Sequence, residues 1–175
     1  MSRKRFPFLL TAIFIGLVAF HHVGCARTIE GKVVRVPDGD TIRLELTYSV
    51  PGVRTYKDGT IAVRLRGVDA PELSQPYGRE SKAHLEGLVL GKTVRVEIKD
   101  IDRYGRIVGY VWVNGTNVNL EQVRKGYAWA YAEYLDRPYA SEFYEAENEA
   151  RKNRLGLWRE SNPTPPWEYR KGRRR

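Results

Sequence analysis

The feature that most constrains the fold is a short alternating segment that ends in a charged turn. In residues 61–66, Ile, Val and Leu alternate with Ala62, Arg64 and Arg66, which is the period-2 pattern of a half-buried β-strand. Pro71 follows shortly afterwards, and proline has no amide hydrogen with which to continue a sheet ladder. The segment therefore predicts a strand with Arg64 on the face opposite its apolar side chains.

Carboxylates that follow this strand suggest a site rather than a core. Asp69 and Glu72 lie just past the strand end, and Asp38-Gly39-Asp40 forms a tight acidic turn earlier in the chain. If the strand after that turn pairs with residues 61–66, the two acidic clusters converge at one end of the sheet. Carboxylate oxygens suit hard cations such as calcium and magnesium. Taken alone, an Asp-Gly-Asp segment is most often only a turn, so a metal role depends on this convergence.

The rest of the chain predicts a small α+β domain. No internal repeat is visible, and strands that are short and mostly antiparallel favour a five-stranded OB-type β-barrel, closed or nearly closed, with about three helices. Alternation predicts the other strands at 29–36, 41–46, 93–99 and 107–113, and helical spacing predicts helices at about 75–90, 117–125 and 137–153.

The charge balance favours a polyanionic partner. The chain carries 30 Lys and Arg against 21 Asp and Glu, for a formal net charge of +9. Such an excess suits nucleic acid or an anionic membrane surface, although a solubilising surface charge is the simpler alternative. Zinc is a poor fit, because three of its four possible Cys and His ligands lie in residues 21–25 and only His84 remains elsewhere.

The N-terminus predicts export. A basic head at residues 1–5, an apolar run at 6–20 and a small-residue end at 24–26 are typical of a signal peptide. An uncleaved anchor and lipidation at Cys25 remain alternatives, and either would associate the chain with a membrane. We therefore expect an export segment or anchor at 1–26, a working domain at 27–160, and an extended, solvated Pro-rich basic tail at 161–175. The protein would be secreted, periplasmic or envelope-anchored, and we expect a monomer.

Three motifs occur in an order that resembles one known family. They are Asp-Gly-Asp-Thr at 38–41, Arg-Leu-Arg-Gly-Val-Asp-Ala-Pro-Glu at 64–72, and Asp-Arg-Tyr-Gly-Arg at 102–106. Together they resemble the staphylococcal (micrococcal) nuclease family, and the likeness extends over roughly residues 29–158. The resemblance implies an OB-fold barrel and calcium-dependent hydrolysis of phosphodiester bonds in DNA and RNA.

The resemblance also implies a role for three of the four carboxylates of the acidic clusters. Asp40 and Asp69 match the carboxylate ligands of Ca²⁺, and Ala70 stands where the family commonly has Thr and supplies a backbone carbonyl. Glu72 matches the family's general base or water-orienting carboxylate. These residue types agree with what the chemistry requires, since a hard cation takes oxygen ligands and an attacking water must be oriented or deprotonated.

The remaining matched positions would contact the substrate. Arg64 and Arg106 match the two arginines that hold the phosphate and stabilise developing charge, with Arg106 nearer the leaving oxygen. A planar guanidinium suits this task because it meets phosphate oxygens bidentately. For either arginine singly, an ordinary surface salt bridge is the alternative. Tyr104 and Tyr131 resemble tyrosines that line the nucleotide site.

One departure from the family pattern affects substrate contacts. The loop at residues 73–78 passes almost at once to a helix, whereas the staphylococcal enzyme has a longer, lysine-rich loop there. Basic contacts from that longer loop therefore cannot be expected here.

The sequence supports three hypotheses for function: an exported calcium-dependent nuclease acting on DNA or RNA, a non-catalytic OB-type nucleic-acid-binding module, and a basic envelope protein. The presence of all five site residues favours the nuclease; they are Asp40, Arg64, Asp69, Glu72 and Arg106.

Overall fold

The computed structural model describes residues 27–131, 133 and 135–173. The predicted export segment at 1–26, which includes Cys25, lies outside these residues, so export and lipidation stay predictions. Within the described part of the chain, no helix is both long enough and apolar enough to cross a membrane.

The strands form a closed barrel, as the sequence predicted. The strands are β1 (Thr28–Arg35), β2 (Thr41–Glu45), β3 (Ile61–Leu65), β4 (Val68–Asp69), β5 (Thr93–Ile101), β6 (Ile107–Val113), β7 (Thr116–Asn117) and β8 (Trp129–Ala130). Strand β1 lies between β2 and β5, β2 pairs with β3, and β5 pairs with β6, all antiparallel. The barrel closes where β6 runs parallel to β3. The α+β, OB-type class is thereby confirmed.

Among the described residues, four α-helices surround the barrel, one more than predicted. They are α1 (Gly78–Val89), α2 (Val118–Arg124), α3 (Arg137–Lys152) and α4 (Pro166–Gly172), and a 3₁₀ turn spans Gly156–Arg159. Helix α4 corrects the prediction of an extended, solvated tail. Local sequence supports it, because Pro166 begins the helix, where proline is tolerated, and Arg170 and Lys171 lie in its last turn near the negative end of the helix dipole.

Two apolar clusters position the elements around the site. The barrel interior is filled by alternate strand residues that are completely or almost completely buried, and these include Val33, Ile42, Val63, Leu65, Val96, Ile107 and Val111. A smaller cluster of Trp129, Ala150, Leu157 and Trp158 lies beside it, and Trp167 of α4 packs against this cluster. The second cluster therefore provides the apolar surface on which the C-terminal helix packs.

A tight reversal after β3 sets the position of the acidic residues. Gly67 has φ of 75°, a left-handed conformation that glycine adopts without the usual steric cost. The chain then forms β4, which pairs with β8 so that Asp69 lies opposite Trp129. The two strands of this small sheet are too short for their periodicity to be recognised in the sequence. Their pairing directs Asp69 toward the end of the barrel where β2 begins.

Candidate active site

The two acidic clusters converge, as the sequence predicted. Thr41 of β2 lies opposite Arg64 of β3 in the antiparallel register, which brings the turn before β2 next to the segment after β3. The Leu65 amide donates to the Asp40 backbone carbonyl at 2.8 Å, and the Ala70 amide donates to Asp40 Oδ2 at 2.9 Å. Asp40 is therefore fixed by backbone groups from the far side of the cleft.

The acidic residues line an open cleft of about 410 Å³. All eight residues predicted from the sequence are at its wall, together with four others. The full lining is Asp38, Asp40, Thr41, Arg64, Asp69, Ala70, Pro71, Glu72, Tyr104, Arg106, Tyr131 and Arg170. The assignment of chemical roles to the eight stays a prediction, but the structure brings them all together.

Arg64 lies between the two aspartates. Its Nη2 is 3.0 Å from Asp40 Oδ2 and 3.2 Å from Asp69 Oδ1, and its Nη1 donates to the Leu65 carbonyl at 2.9 Å. The side chain is 18% exposed. Arg64 is thus an internal, well-oriented cation at the base of the cleft rather than a surface salt-bridge partner.

The carboxylates outnumber the cations that face them. Burial and the nearby negative charge of Asp40 raise the pKa of Asp38 to about 7. Burial also raises the pKa of Asp69, although hydrogen bonds and charge from arginines act in the opposite direction. Each shift means that a negative charge is costly there. Because a further cation in the cleft would stabilise these carboxylates, the electrostatics favour cation binding.

Arg106 is positioned by hydrogen bonds to Asp102, a residue of the same turn. Its Nε donates to Asp102 Oδ2 at 2.7 Å, and its backbone amide donates to Asp102 Oδ1 at 3.0 Å. The Tyr104 amide donates to the same oxygen at 2.9 Å. Burial acts to raise the pKa of Asp102, but these bonds and the charge of Arg106 outweigh it, and the pKa is lowered. Asp102 is a positioning residue that the sequence interpretation missed, although its place in the turn motif was a signal.

Glu72 lies at the open edge of the cleft. Its side chain is 41% exposed, so water reaches the carboxylate. Its backbone is packed tightly against the start of α1, where a Cβ on Gly78 would come within 1.9 Å of the Glu72 carbonyl oxygen. The Glu72 amide also donates to Gln75 Oε1 at 3.2 Å. A fixed backbone with a solvent-facing carboxylate suits a group that orients water.

The donor set fits a hard cation with an incomplete protein shell. Among the described residues, no group of three or more His, Cys, Asp or Glu side chains is placed to hold a metal ion by itself. Asp40 and Asp69 offer carboxylate oxygens, and backbone carbonyls and water would have to complete the shell, as both calcium and magnesium allow. The oxygen donors therefore fit either ion, and the choice of calcium stays a prediction.

Arg170 is the cation that the sequence interpretation missed. Its Nη1 and Nη2 lie 3.1 and 2.8 Å from the two carboxylate oxygens of Asp69, and Nη1 is 3.0 Å from Glu72 Oε1. A guanidinium therefore already contacts two of the predicted site carboxylates. The available signals were Trp167 and Tyr169, aromatic residues that are unusual in a solvated tail.

The two tyrosines of the cleft have different surroundings. Tyr104 is 56% exposed, and the guanidinium groups of Arg103 and Arg106 lie 4.9 and 5.6 Å from its ring centre. Tyr131 is half-buried, and its ring is stacked with that of Trp167 at 5.4 Å and 9°. The cleft therefore combines carboxylates, arginines and aromatic rings, a set suited to binding a nucleotide phosphate.

Comparisons with known proteins agree with this geometry. The family model described as staphylococcal nuclease homologue matches residues 62–160. A micrococcal nuclease of Shigella flexneri is 36% identical over 171 residues, which cover 93% of this chain and 92% of that protein. An uncharacterized endonuclease of Escherichia coli is 46% identical over 143 residues, 81% of this chain and 85% of that protein.

Some relatives are much longer. An uncharacterized 38.1 kDa protein of Capnoides sempervirens is 47% identical over 112 residues, which are 64% of this chain and 32% of that protein. The present chain thus spans about a third of that relative, and the match concerns one part of it. The bacterial relatives, in contrast, are covered over most of their length.

Proposed function

The chain belongs to the staphylococcal nuclease family, and we propose that it is a calcium-dependent nuclease that hydrolyses phosphodiester bonds of DNA or RNA. The observation that carries the proposal is the meeting of Asp40, Arg64 and Asp69 at one end of the barrel, with Glu72 and Arg106 in the same cleft. In this proposal Asp40 and Asp69 would bind the cation, Glu72 would orient the water, and the two arginines would bind the phosphate. Their combination suits hydrolysis better than binding alone.

Asp40 and Asp69 would hold the cation, with the backbone carbonyl of Ala70 as a further ligand. A bound calcium ion would supply positive charge that offsets the charge developing on the phosphate. Arg64, already fixed between the aspartates, would donate to a non-bridging phosphate oxygen. The protein groups that define the site are therefore in place before substrate arrives.

Glu72 would orient the attacking water and accept its proton, since its carboxylate faces solvent at the cleft edge. Arg106, held by Asp102, would stabilise the charge on the leaving oxygen. Tyr104 and Tyr131 would contact the nucleotide on either side of the phosphate. The presence of all these side chains in one cleft supports the proposed roles.

We also propose that the protein acts outside the cytoplasm. The support is the basic, apolar and small-residue sequence of residues 1–26. Cell fractionation and the mass of the purified chain test this: processing near residue 26 or a lipid at Cys25 would support export. A full-length chain in the soluble cytoplasmic fraction would contradict it.

A cleavage assay with and without chelator tests the proposed activity. The full-length protein is incubated with single-stranded DNA and calcium, then with the same mixture plus a calcium chelator. We expect cleavage that disappears on chelation, and the Arg106→Ala variant should cleave about 100-fold more slowly or worse, as expected for loss of a transition-state contact. Binding without cleavage at saturating calcium would instead support a non-catalytic nucleic-acid-binding module.

A further inference from the structure

The C-terminal segment at residues 163–173, which we call the strap, crosses the acidic cleft and places Arg170 on Asp69 and Glu72. We propose that the strap is autoinhibitory: Arg170 occupies the place of the divalent cation, and a cation binds only when the strap opens. This inference rests on the proposed function, because it assumes that the same carboxylates bind a cation.

Arg170 and a cation would compete for the same oxygens. The guanidinium forms a two-pronged contact with both oxygens of Asp69, a carboxylate that is only 1% exposed. Such bidentate contact covers one edge of the carboxylate. A calcium ion about 2.3–2.6 Å from these oxygens would lie in the same space and carry the same sign of charge. Binding of the two is therefore mutually exclusive at Asp69.

The strap also contacts the shortened loop that distinguishes this chain from the staphylococcal enzyme. Tyr169 Oη donates to the Ser74 carbonyl at 3.0 Å, and Arg173 Nη1 donates to Ser74 Oγ at 2.8 Å. From the loop, Gln75 Nε2 donates to the Thr164 carbonyl at 2.5 Å. The strap therefore packs on the short loop at 73–78, directly beside Glu72.

An aromatic contact covers the nucleotide side of the cleft. Trp167 is stacked on Tyr131, the ring that we expect to face the nucleotide, and its own ring meets Trp129 edge-on at 5.5 Å and 73°. The closed strap therefore blocks two parts of the site at once. Arg170 takes the cation position, while Trp167 covers an aromatic surface that the substrate would use.

The strap is built so that it can open. Helix α4 has seven residues, far fewer than an isolated helix needs for stability in water. Arg170 is 38% exposed and the contacts of Tyr169 with Ser74 are exposed, so water already reaches part of the contact between the strap and the cleft. The main interactions that opening must break are the Arg170–Asp69 pair and the packing of Trp167. The strap is also basic, with Arg170, Lys171 and Arg173, so a polyanionic substrate would attract it away from the cleft.

Calcium titration calorimetry without nucleic acid tests the strap separately from catalysis. It compares the full-length protein with Arg170→Ala, which removes the competing charge, and Trp167→Ala, which loosens the strap without changing a charge at the cleft. If the strap is closed in about nine molecules of ten, either variant should lower the apparent dissociation constant for calcium up to about tenfold. Lys171→Ala is the matched control, since it removes an exposed charge from the same helix and should bind calcium as the wild type does.

The outcomes separate the strap from the proposed function. Tighter calcium binding in Arg170→Ala and Trp167→Ala, with Lys171→Ala unchanged, supports the strap. Equal calcium affinity in all four proteins would contradict autoinhibition by the strap but would still support the proposed cation site. Absence of calcium binding in every protein, including Arg170→Ala, overturns both the cation site and the strap. An equal gain in Lys171→Ala would also overturn the strap, because it would show a general effect of charge.

Discussion

Two arginines that lie two residues apart, Arg64 in β3 and Arg66 in the turn that follows it, have different surroundings. Arg66 forms one closed pair with Asp136: its Nε and Nη2 each lie 3.0 Å from a different carboxylate oxygen. Arg64 faces Asp40 and Asp69, in a cleft that also contains Asp38 and Glu72. One arginine is balanced by a single carboxylate, whereas the other lies among an excess of carboxylates.

We interpret this difference as that between a structural ion pair and an ion pair of the proposed active site. The fork of Arg66 matches the two oxygens of Asp136, and the pair joins the turn after β3 to the start of α3. The cluster around Arg64 retains negative charge that is costly to bury, as the raised pKa values of Asp38 and Asp69 show. Local charge balance, rather than the presence of arginine, therefore marks the site.

The largest expected effect is on activity. Arg64→Ala should lower kcat/KM about 100- to 1,000-fold, because a preorganised cation that contacts the phosphate is lost. Arg66→Ala is the matched control from the turn just after β3 and should stay within about threefold of wild type at a temperature where it is folded, since the Arg66 guanidinium contacts Asp136 and none of the five proposed site residues. Initial rates on single-stranded DNA with calcium measure both. Equal losses in the two variants would contradict the distinction.

The next expected effect is on stability, where the loss of Arg66 should matter more than the loss of Arg64. Arg66→Ala should lower the free energy of unfolding by about 1–3 kcal/mol, because it breaks a bidentate charged contact that joins the barrel to α3 and leaves Asp136 without its partner. Urea unfolding followed by circular dichroism, without calcium, measures the change. An unfolding free energy equal to that of the wild type would show that the pair does not stabilise the fold.

A smaller effect should appear in the pH dependence of stability. Burial acts to raise the pKa of Asp136, but the hydrogen bonds and charge of Arg66 outweigh it and the pKa is lowered. Since the folded-state pKa lies below the unfolded value of about 3.9, this stabilisation is complete above about pH 4 and is lost as the pH falls through the folded-state value.

The measurement compares wild type with Asp136→Asn by urea unfolding at pH 7 and at pH 2.5. The variant should be less stable by about 1 kcal/mol at pH 7, and the difference should shrink at pH 2.5 because the unfolded wild type then takes up a proton at Asp136, which offsets the stabilisation of the folded carboxylate. A difference that stays constant across this range would mean that the charge of Asp136 does not contribute to stability.

Much of the site followed from the sequence because its residues lie at the ends of strands. Period-2 alternation identified β2 and β3, and pairing these strands brings Asp40 next to Asp69 without further information. The parts that were missed depend on contacts between distant segments. Asp136 meets Arg66 across 70 positions, and Arg170 meets Asp69 across 101.

The C-terminal tail shows most clearly why a prediction of structure from composition alone was wrong. A Pro-rich, basic segment is typical of a solvated terminus, and seven helical residues would not be stable in isolation. Helix α4 forms because Trp167 packs on Trp129 and Tyr131, which belong to another part of the chain. Tertiary packing of one aromatic side chain therefore decided the structure of the segment.

The central claim is that the carboxylates around Arg64 bind a divalent cation, and one measurement tests it most directly. Calcium is titrated calorimetrically into full-length wild type and Asp69→Asn, with circular dichroism to show that both are folded. We expect one calcium bound by the wild type and no measurable binding by Asp69→Asn, since a neutral amide replaces a buried carboxylate ligand. Calcium binding by Asp69→Asn with wild-type affinity would contradict the account.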